Sequence, residues 1–304
     1  MKTLMATDGS KEATTALRTA SRLLRKSNNE IDLLCVSPEL LKQKQKQRSR
    51  REVRLQEEYL RRIGLETMAI LEQAQAVLKK NGMETRAISE VGSPAGTIVR
   101  LAEGYDVTVV GAKGRNTDSE LGLGPVASRV VEYASGTVLV ARELSNESNL
   151  RILLCIDGSL ASKRAIRHLI SYFKLGGAEI TLMHVVETPW IHFGLDREWF
   201  AYPEDRRNPS DPEMLLEGEL RNEAEDLIED ARAQLEKYDL TVETLVEEGN
   251  PSTEILGEAE RGEYDLIVLG ATGVTDAKHN LLGSISAKVA WQAPCSVAVI
   301  KYSW

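Results

Sequence analysis

Short apolar runs alternate along this chain with stretches whose apolar residues recur every three or four positions. Residues 151–156, 179–186, 241–246, 266–269 and 297–300 read as strands. Between the first two, Ala161, Ala165, Ile166, Leu169, Ile170 and Phe173 fall at helical spacing. A long charged pattern over 213–236 predicts a second helix. Pro251 can open a third, because its missing N–H costs nothing at the first helical position. Residues 286–291 continue in helical fashion, and the first half of the chain follows the same order. Strands that alternate with helices and are apolar throughout imply a parallel sheet covered on both faces. Right-handed crossovers then place ligand sites at the carboxyl ends of the strands.

The two halves repeat one another. Asp8-Gly9-Ser10 recurs as Asp157-Gly158-Ser159, and Leu33–Val36 recurs as Leu182–Val185, both at an offset of 149. Gly92-Ser-Pro94 returns as Gly249-Asn-Pro251 at an offset of 157. Tyr105-Asp106 and Gly111 return as Tyr264-Asp265 and Gly270 at 159. A constant offset with small later steps marks an internal duplication, with about eight extra residues in the second copy. The polar segment 143–150 separates two expected domains, 1–146 and 147–304.

Chemistry concentrates after the fourth strand of each copy. Gly270-Ala-Thr-Gly273 is followed, after nine residues, by Gly283-Ser284 and a helix. Glycines let backbone N–H groups approach phosphate oxygens with no Cβ in the way. A helix N-terminus adds unpaired N–H groups and a favourable dipole. The first copy has Gly111-Ala-Lys-Gly114, nine residues, then Gly124-Pro125.

Composition narrows the classes. The chain has 304 residues, 42% of them hydrophobic and 28% charged, as in soluble globular proteins. No apolar run approaches a bilayer span, so no membrane role is expected. Three widely spaced cysteines, Cys35, Cys155 and Cys295, form neither a disulfide framework nor a zinc pattern, and the cytoplasm is the expected compartment. A net charge of −8 argues against nucleic acid as a partner. The charge is uneven: residues 1–148 hold 23 basic and 19 acidic residues, a net of +4, and the rest holds 15 and 27, a net of −12. A basic stretch at 42–62, sparse in aromatics, reads first as a solvated helical face rather than a nucleic-acid site; an acidic stretch at 204–230 occupies the corresponding place, and pairing of the two is a second reading. Just before the acidic stretch stand Trp190, Phe193, Trp199, Phe200 and Tyr202, read first as domain-interface packing.

Asp-Gly-Ser after the first strand, Leu-x-His-Val in the second, Gly-x-Pro after the third and Gly-x-x-Gly-x9-Gly-Ser after the fourth resemble the universal stress protein family in its tandem form. The resemblance covers nearly the whole chain. It implies two Rossmann-like or flavodoxin-like α/β domains, each a five-stranded parallel sheet of order 3-2-1-4-5 flanked by helices. It also implies ATP as ligand, with ADP or AMP as the alternative adenine ligands; Mg²⁺ is expected with the nucleotide because it would offset the phosphate charge. By position, Asp157 would reach the adenosine part and Val185 would offer main-chain groups to the adenine edge. Gly270 and Gly273 would shape the turn, and Gly283 and Ser284 would hold phosphates. The family implies pairing of the two domains as an internal pseudo-dimer, near edge strands at 137–140 and 297–300, with a homodimer and an unidentified protein partner as further associations.

The first copy keeps Asp8, Val36, Gly111, Gly114 and Gly124. It departs at Pro125, which has neither N–H nor hydroxyl where the second copy has Ser284, and at Ala127, where the second copy has Ser286. The second domain is therefore the expected nucleotide site, and Lys113 is a candidate compensating cation in the first. Asp157 also has a plain structural reading as an Asx-turn residue. Gly249-Asn-Pro251 reads as a helix-start turn. His184 reads as a packed core histidine, and His168, His192 and His279 show no metal-ligand spacing. No nucleophile set and no general base stand out, so a regulatory binding protein is the expectation. A slow ATPase or nucleotide-dependent transferase, and a nucleotide-free scaffold, are the alternatives.

Overall fold

The computed structural model describes residues 1–39, 50–115, 122–144, 149–187, 212–238, 240–273 and 282–301. The aromatic group Trp190, Phe193, Trp199, Phe200 and Tyr202, together with His192 and His279, lies outside the described residues. The chain forms two compact units, one of residues Met1–Glu143 together with Lys301, the other of Leu144–Ile300.

In the first unit the elements are β1 (Lys2–Ala6), α1 (Lys11–Leu23), β2 (Glu30–Ser37), α2 (Arg50–Lys80), β3 (Arg86–Val91), α3 (Pro94–Ala102), β4 (Val107–Gly111), α4 (Pro125–Tyr133) and β5 (Thr137–Ala141). The strands pair in parallel in the order β3-β2-β1-β4-β5. The second unit repeats this with β6 (Arg151–Cys155), α5 (Leu160–Tyr172), β7 (Glu179–Val186), α6 (Pro212–Glu236), β8 (Val242–Glu248), α7 (Pro251–Arg261), β9 (Leu266–Gly270), α8 (Ser284–Gln292) and β10 (Ser296–Ile300). Its order is β8-β7-β6-β9-β10, again parallel. Each unit thus has the 3-2-1-4-5 sheet. Strand and helix limits move by at most two residues from those the pattern predicts, α8 beginning at Ser284 where the pattern indicated 286, and none of the shifts changes an element's type. Among the described residues no helix is long and apolar enough to cross a membrane.

The sheets owe their stability to strands buried on both faces. Leu4, Leu33, Val107 and Leu139 are fully buried in the first unit, as are Leu153, Leu182, Ile267 and Val299 in the second. Each such side chain contributes about 1.5–3 kcal/mol by leaving water. Helix α2 packs through Thr67, Leu71, Ala74 and Leu78, and α6 through Ala224, Ile228, Ala231 and Leu235, all at an offset of 157. The extra residues of the second copy therefore enter upstream of these packed turns.

The repeated Tyr-Asp pair has a structural role. Asp106 Oδ2 accepts the Lys2 N–H at 2.7 Å, and the main chain of Asp106 bonds Lys2 and Thr137 in turn. Asp265 does the same for Arg151 at 3.0 Å and for Ser296. One aspartate in each unit thus ties the starts of three neighbouring strands. In the first unit Asp32 adds a second tie, accepting both arms of Arg86 at 2.9 and 2.6 Å and the Tyr105 hydroxyl at 2.5 Å. Burial pushes the Asp32 carboxyl up, but the hydrogen bonds from Arg86 and Tyr105 and the charges of Arg86 and Lys2 outweigh it, so its pKa lies below the ordinary value.

Two outcomes are expected. Asp265 is buried at 3% exposure, whereas Asp106 is only half-buried. Asp265→Ala strands the Arg151 N–H and should lower stability in urea unfolding by about 1–3 kcal/mol, more than Asp106→Ala does. Because the folded pKa of Asp32 is depressed, its stabilising contribution is present above its unfolded value of about 3.9 and is lost as pH falls through the lower folded value. An Asp32→Asn variant should flatten that acid limb of the stability–pH curve.

Candidate functional site

The carboxyl ends of β1 and β4 in the first unit, and of β6 and β9 in the second, lie side by side, and the Asp-Gly-Ser segments turn there. Asp8 Oδ1 accepts the Ser10 N–H at 2.9 Å and the Ser10 hydroxyl at 2.6 Å. Ser10 in turn caps α1 by accepting from the Ala13 N–H. Gly9 lies between them at φ 75°, a left-handed conformation that suits glycine. At the start of α5, Asp157 Oδ1 accepts the Ser159 N–H at 3.0 Å, Gly158 lies at φ 77° and Ser159 caps the helix, but the Ser159 hydroxyl donates to the Thr272 carbonyl at 3.4 Å. The plain Asx-turn reading of Asp157 is therefore correct as far as it goes.

The aspartate also reaches the glycine turn after the fourth strand. Asp8 Oδ2 accepts the Arg115 N–H at 3.0 Å. A Cβ on Gly114 would stand 2.8 Å from Asp8 Oδ2, and one on Gly273 would stand 3.2 Å from Asp157 Oδ2. Glycine at these positions lets the carboxylate approach the turn. Burial pushes the Asp8 carboxyl up, but the Ser10 and Arg115 hydrogen bonds and the Arg115 charge hold its pKa below the ordinary value. Asp8 is thus an ionised acceptor at neutral pH. Such a group suits sugar hydroxyls and repels phosphates.

Gly270 and Gly111 are set by packing. A Cβ on Gly270 would meet the Ala161 Cβ at 2.7 Å and the Ser162 nitrogen at 3.1 Å. One on Gly111 would lie 3.4 Å from the Ala16 Cβ of α1 and 3.2 Å from the Lys113 carbonyl oxygen. These glycines let the first helix of each unit press on the strand end. Val36 and Val185 sit near the carboxyl ends of β2 and β7, paired with Glu90 and Glu247.

The helix starts differ from the simple reading in two respects. The Gly283 N–H donates to the Ala271 carbonyl at 2.7 Å, and Gly124 does the same to Ala112 at 2.8 Å. Neither cap glycine keeps an N–H for an anion; each brings its helix close to the turn. The Ser286 hydroxyl donates to the Gly270 carbonyl at 2.7 Å and is buried, so the loss of a hydroxyl at Ala127 removes no anion donor. The real difference lies at the first helical position. The first helix-type bond of α8 is Ala287 N–H to Gly283, which leaves the N–H groups of Ser284, Ile285 and Ser286 ahead of it. In α4 the first is Ser128 to Gly124, which leaves only Val126 and Ala127, since Pro125 has no N–H. Ser284 and Pro125 are both exposed.

In the first unit these elements enclose a cleft of about 540 Å³, floored by β1, β2 and β4 and walled by α2. Its charged lining residues are Asp8, Glu66, Lys113 and Arg115. Sequence reasoning missed Glu66, Ile63 and Ile70 on α2. Arg115 pairs with Glu66 at 3.1 Å, and its guanidinium passes over Gly9. Nothing in a chain separation of 49 residues announces that pair.

Other sequence candidates are placed as packing residues. The His184 Nδ1–H donates to the Ile156 carbonyl at 2.8 Å. Asn250 caps α7 by accepting from the Thr253 N–H, so Gly249-Asn-Pro251 is a helix-start turn. Among the described residues no group of three or more His, Cys, Asp or Glu is placed to hold a metal ion.

Comparison with known proteins follows the same division. The model of the universal stress protein family matches residues 1–142 and 149–301. The universal stress protein MJ0531 of Methanocaldococcus jannaschii is 30% identical over 161 residues, covering 52% of this chain and 86% of that protein. A universal stress protein of Mycolicibacterium smegmatis is 28% identical over 244 residues, 76% of this chain and 75% of that one. The crystal structure of a universal stress protein from Archaeoglobus fulgidus superposes with a TM-score of 0.64 at 20% identity, covering 99% of this chain and 96% of that chain.

The site geometry sets two expectations. Gly270→Ala drives a methyl into the backbone at the start of α5 and should lower the melting temperature more than Gly283→Ala, whose Cβ would stand 3.2 Å from the Ala271 oxygen. Burial pushes the Cys35 thiol up to about 11, and the residue is 3% exposed. A thiol reagent at neutral pH should leave Cys35 unmodified in the native protein and label it after unfolding.

Proposed function

The chain belongs to the universal stress protein family, and from that premise we propose that it is an adenine-nucleotide-binding regulatory protein, with ATP held mainly in the second domain. The observation that carries this is the start of α8. Three N–H groups precede the first helix bond there, and the exposed Ser284 adds a hydroxyl at the first position. Asp157 at the end of β6 would accept the ribose hydroxyls. Main-chain groups at Val185 would meet the adenine edge. Gly270 and Gly273 would keep the turn close enough for the phosphates to lie on the helix start. Mg²⁺ would arrive on the phosphate oxygens, neutralising charge, since this ion keeps much of its water and leans on substrate phosphates. Asp8, Val36, Gly111, Gly114 and Gly124 form the corresponding set in the first domain.

Binding without rapid chemistry suits regulation. A nucleotide that favours one arrangement of the turn and helix start shifts the population that a partner meets, whether another protein or a second copy. The three cysteines are free and buried, which fits a reducing compartment, and the cytoplasm is the location we propose.

The test is calorimetric titration of ATP–Mg²⁺ into nucleotide-stripped protein, wild type against Ser284→Asp. An acidic residue at the first helical position is favourable to the helix, so the variant should fold normally. It places a negative charge where the phosphates would rest and should weaken the tighter site at least about tenfold, as expected for losing charge-assisted hydrogen bonds. Unchanged affinity in the variant would remove ATP from the second domain.

A further inference from the structure

We infer that the cleft of the first domain takes a nucleoside or nucleoside monophosphate and discriminates against the triphosphate, so that the two copies bind adenine ligands of different charge. The inference rests on the nucleotide reading above and deepens it. Three observations carry it.

The first is the composition of the cleft. Its four charged lining residues are two acids and two bases, Asp8 and Glu66 against Lys113 and Arg115. The Arg115 guanidinium already meets the Glu66 carboxylate at 3.1 Å. A polyphosphate entering here would meet a formally neutral wall whose arginine is engaged. The second is the helix start. Pro125 stands exposed at the first position of α4, where it offers neither N–H nor hydroxyl, and only Val126 and Ala127 precede the first helix bond. The seat that the second domain offers to a chain of phosphates is therefore one N–H and one hydroxyl poorer in the first. The third is what the cleft does offer. Val36, Ile63, Ile70 and Ile98 supply apolar surface for a flat ring. Asp8, kept ionised by Ser10 and Arg115, accepts three hydrogen bonds and has one lone pair left, on Oδ2, for a sugar hydroxyl.

The features that distinguish the cleft belong to this copy. At the places of Lys113, Arg115 and Pro125 the second copy has Thr272, Val274 and Ser284. Glu66, by contrast, corresponds to Glu223 at the offset of the packed helix faces. Relative to the second copy, the first has two more cations on its turn and fewer donors at its helix start. That exchange suits a single anionic group near the turn and not a chain of them along the helix.

The experiment uses the full-length, nucleotide-stripped chain carrying both Asp157→Asn and Ser284→Asp, which disable the sugar and phosphate seats of the second domain, titrated separately with adenosine, AMP and ATP–Mg²⁺. One site per chain is expected for adenosine and AMP, weakened for both by Asp8→Asn, with ATP binding that site at least about tenfold more weakly than AMP. Adding Pro125→Ser should improve ATP about tenfold and leave adenosine unchanged. Equal affinities for ATP and AMP, or a Pro125→Ser change that moves adenosine as much as ATP, would overturn the discrimination while leaving a nucleoside cleft in place. No binding of any of the three would overturn the nucleoside cleft itself. The fate of ATP in the second domain is read independently, from wild type against Ser284→Asp.

Discussion

Each domain depends on the aspartate that ends its first strand. A parallel sheet with right-handed crossovers brings the ends of β1 and β4 side by side, but it leaves their turns unconnected. In the first domain Asp8 makes the connection. One carboxylate oxygen closes the turn into α1 through Ser10, and the other takes the Arg115 N–H from the turn after β4. The glycines follow from it: Gly114 and Gly273 have no side chain because a carboxylate lies where a Cβ would point. The helix start then closes on the same turn through Gly124 or Gly283. Site and fold are one network at this end of the sheet, so a role in turn geometry and a role in holding a ligand do not compete.

At the opposite end of the sheet a second aspartate does purely structural work. Asp106 and Asp265 gather the starts of three strands, and neither is near the turns. Duplication has preserved both ends. What has diverged is the lining between them: Pro125 against Ser284, Arg115 against Val274, Lys113 against Thr272. A conserved frame with altered donors changes which ligand charge is tolerated without changing where the ligand would lie.

The alternation of strands and helices, the repeat and the places of the turns were legible in the sequence, because periodicity and offset report backbone pattern directly; the order of strands in the sheet came only from the family resemblance. So was the weakness at Pro125, since a missing N–H is a property of the residue type alone. Hydrogen-bond bookkeeping was not legible. Gly283 looks like a phosphate donor until its N–H is seen to bond Ala271, and Ser286 looks like a spare hydroxyl until it bonds Gly270. The Glu66–Arg115 pair was invisible for another reason. It joins a helix face to a strand-end turn, and such a pairing depends on how α2 lies across the sheet.

The most direct measurement of the central claim is amide hydrogen exchange with and without ATP–Mg²⁺, resolved to the starts of α4 and α8. Slower exchange at Ser284, Ile285 and Ser286, with Val126 and Ala127 unaffected at the same nucleotide concentration, is the predicted result. Protection at Val126 and Ala127 alone, or at neither helix start, would contradict it.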